Sequence, residues 1–349
     1  AINAAGGLGK GNHKIVVKEC KTDFSPQSEI QCAQQAADDT LSIAFVSPLQ
    51  ISGGDAVDKV AQDAGLPVIN SNPNTPGALT SPVQFPIAQD VFNIAMCTVM
   101  GAKATGAKSV AYGIVSNPGT VASADRAAAL AGTNGVTNLG IVQAPLSTTD
   151  IAPFLQQAVD LKPELLVASL SPMLMAGWLS GIPNSGYKGA SCVTDELAPY
   201  QVLVGLGAAA KDLYMVGSYP ETTWDYPLLK QFNADAKAEA ATGDKAAVVA
   251  PGNSPQSILR GWLGTYVLQQ AVANVEGDLN RASLFAALNK TTVNFGEGNP
   301  IVPIDFSKPN PDPLIARLFN TSTILKVWNV DTKSIDKSKV EPMDASQLK

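Results

Sequence analysis

The sequence is poor in the residues that most enzymes and nucleic-acid binders need. Of 349 residues, one is histidine and only 15% are charged, against a usual ~25% charged. A Ser-His-Asp triad or a His-rich metal site would have to pass through His13, which stands in the turn-like stretch GKGNHKIVV and reads as a solvated turn residue. Four cysteines are present without a C-x-x-C pair, which speaks against zinc and thioredoxin-type sites; an even count suits disulfides in an oxidising compartment. The net charge of −6 opposes a nucleic-acid or anionic-membrane partner. No apolar run reaches the ~18 residues of a membrane span. No signal peptide is visible, as in any secreted chain after processing.

What is present is a long alternation of short apolar runs and Ala-rich stretches, in a chain long enough for two or three domains of ~100–200 residues each. Strands are predicted at KIVVKEC (14–20), LSIAFVS (41–47), PVINS (67–71) and SVAYGIVS (109–116), and then at NLGIVQAPL, LLVASLS, ASCVTD and LYMVGSYP. Helices are predicted between them, at 25–38, 52–65 and 90–106 and then at VASADRAAALAGTNG, IAPFLQQAVDLKP and MLMAGWLSGIPNSG, with none between ASCVTD and LYMVGSYP. The first has Ser25 as N-cap and Pro26 at its first position. This βαβα rhythm marks parallel sheets covered on both faces by helices. After Pro220 it changes: two longer helices (227–240 and 255–275) follow without a strand between them, then RASLFAALNKT, an irregular Pro-rich stretch (298–313), a closing hairpin (314–330) and a polar tail, solvated or docked.

The opening AINAAGGLGKG has four glycines around Lys10. A dinucleotide fingerprint needs a strand before its glycines and a helix after them; here the order is reversed. A Walker A loop needs Ser or Thr after its Lys, and Gly11 stands there. A helix C-cap fits, because glycine tolerates the left-handed conformation in which helices end.

The stretch AINAAGGLGKGNHKIVVKECKTDFSPQSEIQCAQQAADD resembles the early part of periplasmic solute-binding proteins of the Leu/Ile/Val-binding type. There, INAAGG closes the first helix, and a strand, an Asp-containing loop and a second helix follow. The resemblance continues through IAFVSPLQISGGDAVDKVAQDAGLPVINSNPNTPGALT, QFPIAQD (84–90), IPNSGYKGASCVTDEL and ILRGWLGTYVLQQAVANVEGDLNRASLFAAL. It rests on the ordered set across the chain. It implies an α/β protein of two doubly wound, Rossmann-like lobes with a ligand cleft between them. Lobe 1 is expected at 1–88 and 221–300, and lobe 2 at 89–220 and 301–349. Family members carry a strand and a Gly-containing loop ahead of the first helix, roughly thirty residues on a βα unit's length, so the expectation is that the first strand is missing from the chain as given.

The implied activity is capture of a small amphipathic ligand, an amino acid first, by lobe closure and delivery to an ABC transporter permease. The protein would be an extracytoplasmic monomer, secreted or lipid-anchored, with no catalytic residue, cofactor or metal. A sensory ligand-binding domain of the same fold is the alternative; a doubly wound enzyme is opposed by the lone turn histidine and the missing nucleotide loops. Expected ligand contacts lie after strands. Ser52 could bind a ligand carboxylate or simply cap its helix. Asn72, Pro73 and Asn74 match the family's contact loop, or form a plain Asn/Pro turn. In lobe 2 they are Asn117 and Gly119 in SNPG, Ser171 in SLSPM, and Asp195 in TDEL, which in amino-acid-binding relatives pairs with the ligand ammonium. The family often has an aromatic residue near SNPG, and this chain has none. Met173 and Met175 are read as core; Tyr219 and Trp224 flank a crossover and are read as packing. Cys20 ends a strand and Cys32 lies in the second turn of the next helix, within disulfide range, and a Cys20–Cys32 bridge is expected. Cys97 and Cys192 form either a second bridge or two buried thiols. The N-x-S/T matches at Asn289 and Asn320 are of a kind common by chance.

Overall fold

The computed structural model describes residues 1–23, 25–50, 53–73, 75–250 and 255–348. The chain divides into two compact units: Ala1–Ala88 with Thr222–Asn320 (unit 1), and Gln89–Glu221 with Thr321–Lys349 (unit 2). Residues 301–320, expected in lobe 2, belong to unit 1. Phe306 packs edge-on against Phe85 and Phe319, the Arg317 amide donates to Leu79 O at 2.8 Å, and the Asn320 amide side chain donates to Ile87 O at 2.8 Å. Asn320 is 1% exposed, so its sequon is closed to a glycan in the folded chain.

Unit 1 opens on a turn over residues 2–6. The Gly7 amide donates to Ile2 O (3.0 Å) and the Gly6 amide to Asn3 O (3.4 Å), with Gly6 at φ +115°. The two bonds have the 6→1 and 5→2 pattern with which helices end, and that pattern needs a left-handed residue at Gly6. His13 is exposed and bridged to Leu8. The strand expected over 14–20 does not form. Val16 and Val17 are 79% and 76% exposed, and Ile15 pairs only with the Asn3 side chain, at 2.7 and 2.8 Å. Alternating apolar residues make a strand only where a neighbouring backbone takes up their N–H and C=O groups.

Next come α1 (Pro26–Asp38), capped by the Ser25 hydroxyl on the Ser28 amide, β1 (Phe45–Val46), α2 (Gly54–Asp63), β2 (Val68–Ile69), α3 (Pro76–Thr80) and β3 (Gln84–Phe85). The three strands are parallel in the order β1-β2-β3. Two are shorter than expected because Ser47 (φ +53°) and Asn70 (φ +56°) turn the chain out of the ladder.

Unit 2 contains α4 (Asn93–Thr105), β4 (Ser109–Val115), α5 (Pro118–Thr133), β5 (Thr137–Ala144), α6 (Ala152–Asp160), β6 (Leu165–Ser169), α7 (Pro172–Gly181), β7 (Ala190–Thr194), α8 (Tyr200–Leu206) and β8 (Leu213–Gly217). The sequence reading missed α8. The chain then returns to unit 1 for α9 (Pro227–Ala240), α10 (Pro255–Ala273), α11 (Arg281–Leu288) and the antiparallel pair β9 (Thr292–Val293) and β10 (Ile304–Asp305). It ends in unit 2 with β11 (Ser322–Asn329), β12 (Ser334–Lys337) and β13 (Met343–Asp344). The closing hairpin thus lies later than expected: β11 pairs antiparallel with β12, while Pro313–Ile315 is a 3-10 turn. The polar tail is docked, with β13 on β11.

The unit 2 sheet has the order β12-β11-β8-β7-β6-β4-β5, parallel from β5 to β8. Trp178 on α7 is the largest fully buried side chain of the core on one face. Its ring occupies the space a Cβ at Gly113 would need, so glycine in β4 is a packing requirement. Tyr112, on the opposite face, bonds Thr98 of α4. Both cysteine pairs are disulfides: Cys20–Cys32 ties the unpaired segment to α1, and Cys97–Cys192 ties α4 to β7.

Candidate functional site

In unit 2 the parallel strands, numbered in chain order, run 2-1-3-4-5. The order reverses between β4 and β6, and in open α/β sheets ligands bind outside the carboxyl ends of strands at such a switch point. Asn117 and Gly119 follow β4, and Ser171 follows β6. Asn117 Oδ1 accepts from the Thr120 amide at 2.9 Å, so this side chain caps α5. Gly119 is half-buried in the first turn of α5. Ser171 starts α7 without a side-chain cap bond, and its carbonyl accepts from the Met175 amide at 2.8 Å. Beside it Met173 is 71% exposed, a correction to its core assignment: it falls in the first turn of α7, before that helix meets the sheet. Met175 is buried as expected, and Leu146, after β5, is 63% exposed. Polar caps and apolar side chains therefore alternate along the carboxyl edge of this sheet.

Asp195 follows β7, but its carboxylate is already engaged. Lys326, on β11, is fully buried and its Nζ lies 2.5 Å from Asp195 Oδ2 and 2.6 Å from Glu221 Oε1. Asp195 Oδ1 accepts from the Glu196 amide at 2.7 Å. Burial and the nearby Glu221 push the Asp195 carboxyl up, against the pull of Lys326. Burial opposes the Lys326 charge too, yet the two carboxylates outweigh it and hold the ammonium above the ordinary lysine range. The trio carries one net negative charge when ionised and has a built-in cation where a ligand ammonium was expected. Sequence reasoning missed Lys326 and Glu221. The signal was a lone lysine inside the apolar run STILKVWN, where a charge is buried only if paired.

In unit 1 two loops follow β1 and β2. Ser52 and Asn74, both expected as ligand contacts, lie outside the described residues. Asn72 is 5% exposed and pairs with the backbone of Gln50: its Oδ1 accepts from the Gln50 amide (2.7 Å) and its Nδ2 donates to Gln50 O (2.8 Å). This stitches the two loops together as a pair of ladder bonds would. Pro73 is buried. Ser47 Oγ and Asn70 Nδ2 both donate to the Arg260 carbonyl of α10, at 3.1 and 2.8 Å. Gly264, one turn on, leaves room for Ser47 and Val46. Beneath the loops lies a buried polar cluster of Gln50, Asp58, Ser71 and Gln84. Tyr219 of unit 2 is buried, and Trp224 of unit 1 packs on Tyr226.

Among the described residues no three His, Cys, Asp or Glu side chains are grouped to share a metal ion. A cavity of about 460 Å³, lined by Glu164, Asp212 and Tyr214 among others, lies at the amino ends of β7 and β8. That is the end of the sheet away from the switch point, so it is not the candidate site.

Two α/β units with polar loops at the carboxyl ends of parallel strands define a two-lobed binding-protein fold. The chain belongs to the periplasmic binding protein family, whose sequence profile matches residues 1–313. Solved structures share the fold at low identity. The leucine binding protein of Thermotoga maritima is 16% identical with a TM-score of 0.73, covering 94% of this chain and 87% of that one. A solute binding protein of an ABC transporter from R. palustris, in complex with 4-hydroxybenzoate, is 18% identical with a TM-score of 0.74, covering 93% and 85%. A fatty acid ABC transporter substrate-binding protein from Thermomonospora curvata is 15% identical with a TM-score of 0.76, covering 99% and 86%. No curated protein matches the chain.

Proposed function

We propose that this protein captures a small organic carboxylate with an apolar body outside the cytoplasm and delivers it, by closure of the two lobes, to an ABC transporter permease. Its ligand contacts would be Ser52, Asn72, Pro73 and Asn74 in unit 1 and Asn117, Gly119 and Ser171 in unit 2. Family membership supports the binding role. The transporter partner is carried over from neighbours whose titles name ABC transporters.

The ligand class rests on one observation: Lys326 occupies the carboxylate of Asp195. An amino acid bound as first expected would have to displace a buried lysine to place its ammonium there. A ligand lacking an ammonium has no such need, and helix N-termini such as that of α7 favour its carboxylate. Exposed Met173 and Leu146 suit an apolar body. Neighbours whose titles name leucine, 4-hydroxybenzoate and fatty acid bracket the choice.

A thermal-shift screen of aliphatic amino acids, aromatic carboxylates and medium-chain fatty acids tests it. A carboxylate without an ammonium should raise Tm, since at a hundred times its Kd it stabilises by about 2.7 kcal/mol. Asp195→Asn should leave that affinity within a few fold. Shifts confined to amino acids and abolished in Asp195→Asn would return Asp195 to the site; flat shifts throughout would count against the function.

A further inference from the structure

Asp58 lies on the buried face of α2, 2% exposed, and is the root of two branches of hydrogen bonds. Its Oδ1 accepts from Nε2 of Gln84 and from Nε2 of Gln50, the latter at 3.2 Å. From Gln84 one branch reaches the loop after β2, where Ser71 Oγ donates to Gln84 Oε1 at 2.5 Å. From Gln50 the other passes through the loop after β1 to the Asn72 side chain. The two glutamines also meet, Nε2 of Gln84 lying 3.4 Å from Oε1 of Gln50. One carboxylate thus supports both loops of unit 1 from below.

We propose that Asp58 is a proton-controlled positioning residue: ionised, it braces the loops after β1 and β2 through Gln50 and Gln84, and protonated, it lets the brace slacken. The consequence for ligand affinity rests on the preceding assignment of these loops to the ligand; the brace itself does not.

Three observations carry this. First, a charged acceptor makes roughly twice as strong a hydrogen bond as a neutral one, and both amide donors converge on a single oxygen. Second, Asp58 Oδ2 is buried without a hydrogen-bond partner, which leaves it open to a proton and penalises the charge. Third, no ion pair reaches Asp58 among the described residues. On its own helix Asp55 is a like charge, accepting from the Gly77 amide of α3 at 2.7 Å, and Lys59 is turned outward to Asp63. On α1, Glu29 accepts from the Gly53 amide at 2.6 Å. The Arg317 guanidinium donates to Gln84 O at 2.8 Å and lies over Phe85, and Arg281 serves carbonyls at the ends of α1 and α2, including Ala64 O. Burial is the main cause that pushes the Asp58 carboxyl up, to about 6, with the Gln84 and Gln50 bonds opposing it and Asp55 adding to it.

The sign follows. A carboxyl with a folded pKa above its unfolded value of about 3.8 binds its proton more tightly when folded. Its contribution to stability is therefore fully present below about pH 4 and lost as pH rises through about 6. The loops respond in the opposite sense, tightening as Asp58 ionises. A residue that merely fills space would move neither.

Native-state hydrogen exchange on the ligand-free protein between pH 5 and 7.5, corrected for intrinsic rates, reads the Gln50 amide directly. Its protection should fall by roughly tenfold towards pH 5, the loss expected for a weakened bond to a charged group, with a midpoint near 6. Asp58→Asn should show the low protection at every pH and a higher Tm than the wild type at pH 7.5 only. A wild-type profile flat across this range overturns the proposal whether or not the variant folds, as does an Asp58→Asn profile with an unchanged midpoint. If the loops tighten with pH but no carboxylate binds, the brace stands and the ligand assignment falls.

Discussion

Lys326 is buried in unit 2 between two carboxylates. Removing it leaves Asp195 and Glu221 facing each other, both nearly buried, and breaking a buried pair costs about 3–5 kcal/mol. Lys326→Ala should lose that much at neutral pH in urea unfolding and recover part of it at acid pH, where the carboxylates take up protons. A loss under 1 kcal/mol would mean water reaches the trio. Asp195 was legible as an acid after a strand, but its partner was not, because Lys326 lies 131 residues away and a local pattern has no term for such a pairing. Asp58 was legible in part: it shares the helical face of Val57 and Ala61, both buried, and a charge on an apolar face needs an explanation. Asn72 was placed correctly in its loop, yet whether its amide faces a ligand or a neighbouring backbone depends on Gln50, 22 residues earlier.

Among elements, the start of α1 was the most readable. Ser25-Pro26 begins a helix as read, because a polar N-cap and a proline whose missing N–H is not needed act within a few residues; Asn117-Pro118 and Ser171-Pro172, read as loops, also begin helices. Strands were less so. KIVVKEC has the composition of a strand but no ladder, while β1 and β2 are only two residues long each. The disulfides act at this scale. Cys97–Cys192 joins α4 to β7 across a separation of 95 residues and Cys20–Cys32 spans 12; cross-links closing longer loops constrain the unfolded chain more. Replacing Cys97 and Cys192 by alanine should cost about 2–5 kcal/mol, and replacing Cys20 and Cys32 should cost less. Urea unfolding of the two double variants would contradict this if the order were reversed.

For the whole molecule, ligand capture by lobe closure predicts that the ligand found in the thermal-shift screen lowers the radius of gyration in small-angle scattering, without changing the helix content seen by circular dichroism. An unchanged radius at saturation would rule out closure. The alternation of apolar runs and helices sufficed for the α/β class, and the glycines after AINAA for a turn closed by a left-handed residue. Both follow from propensity, periodicity and composition, which act over a few residues. The order 2-1-3-4-5, the assignment of 301–320 to unit 1, the Cys97–Cys192 bridge in place of two buried thiols and the pairing of Asp195 with Lys326 needed the folded arrangement. Each joins segments far apart in the chain, and such pairings are selected by burial and charge compensation in three dimensions.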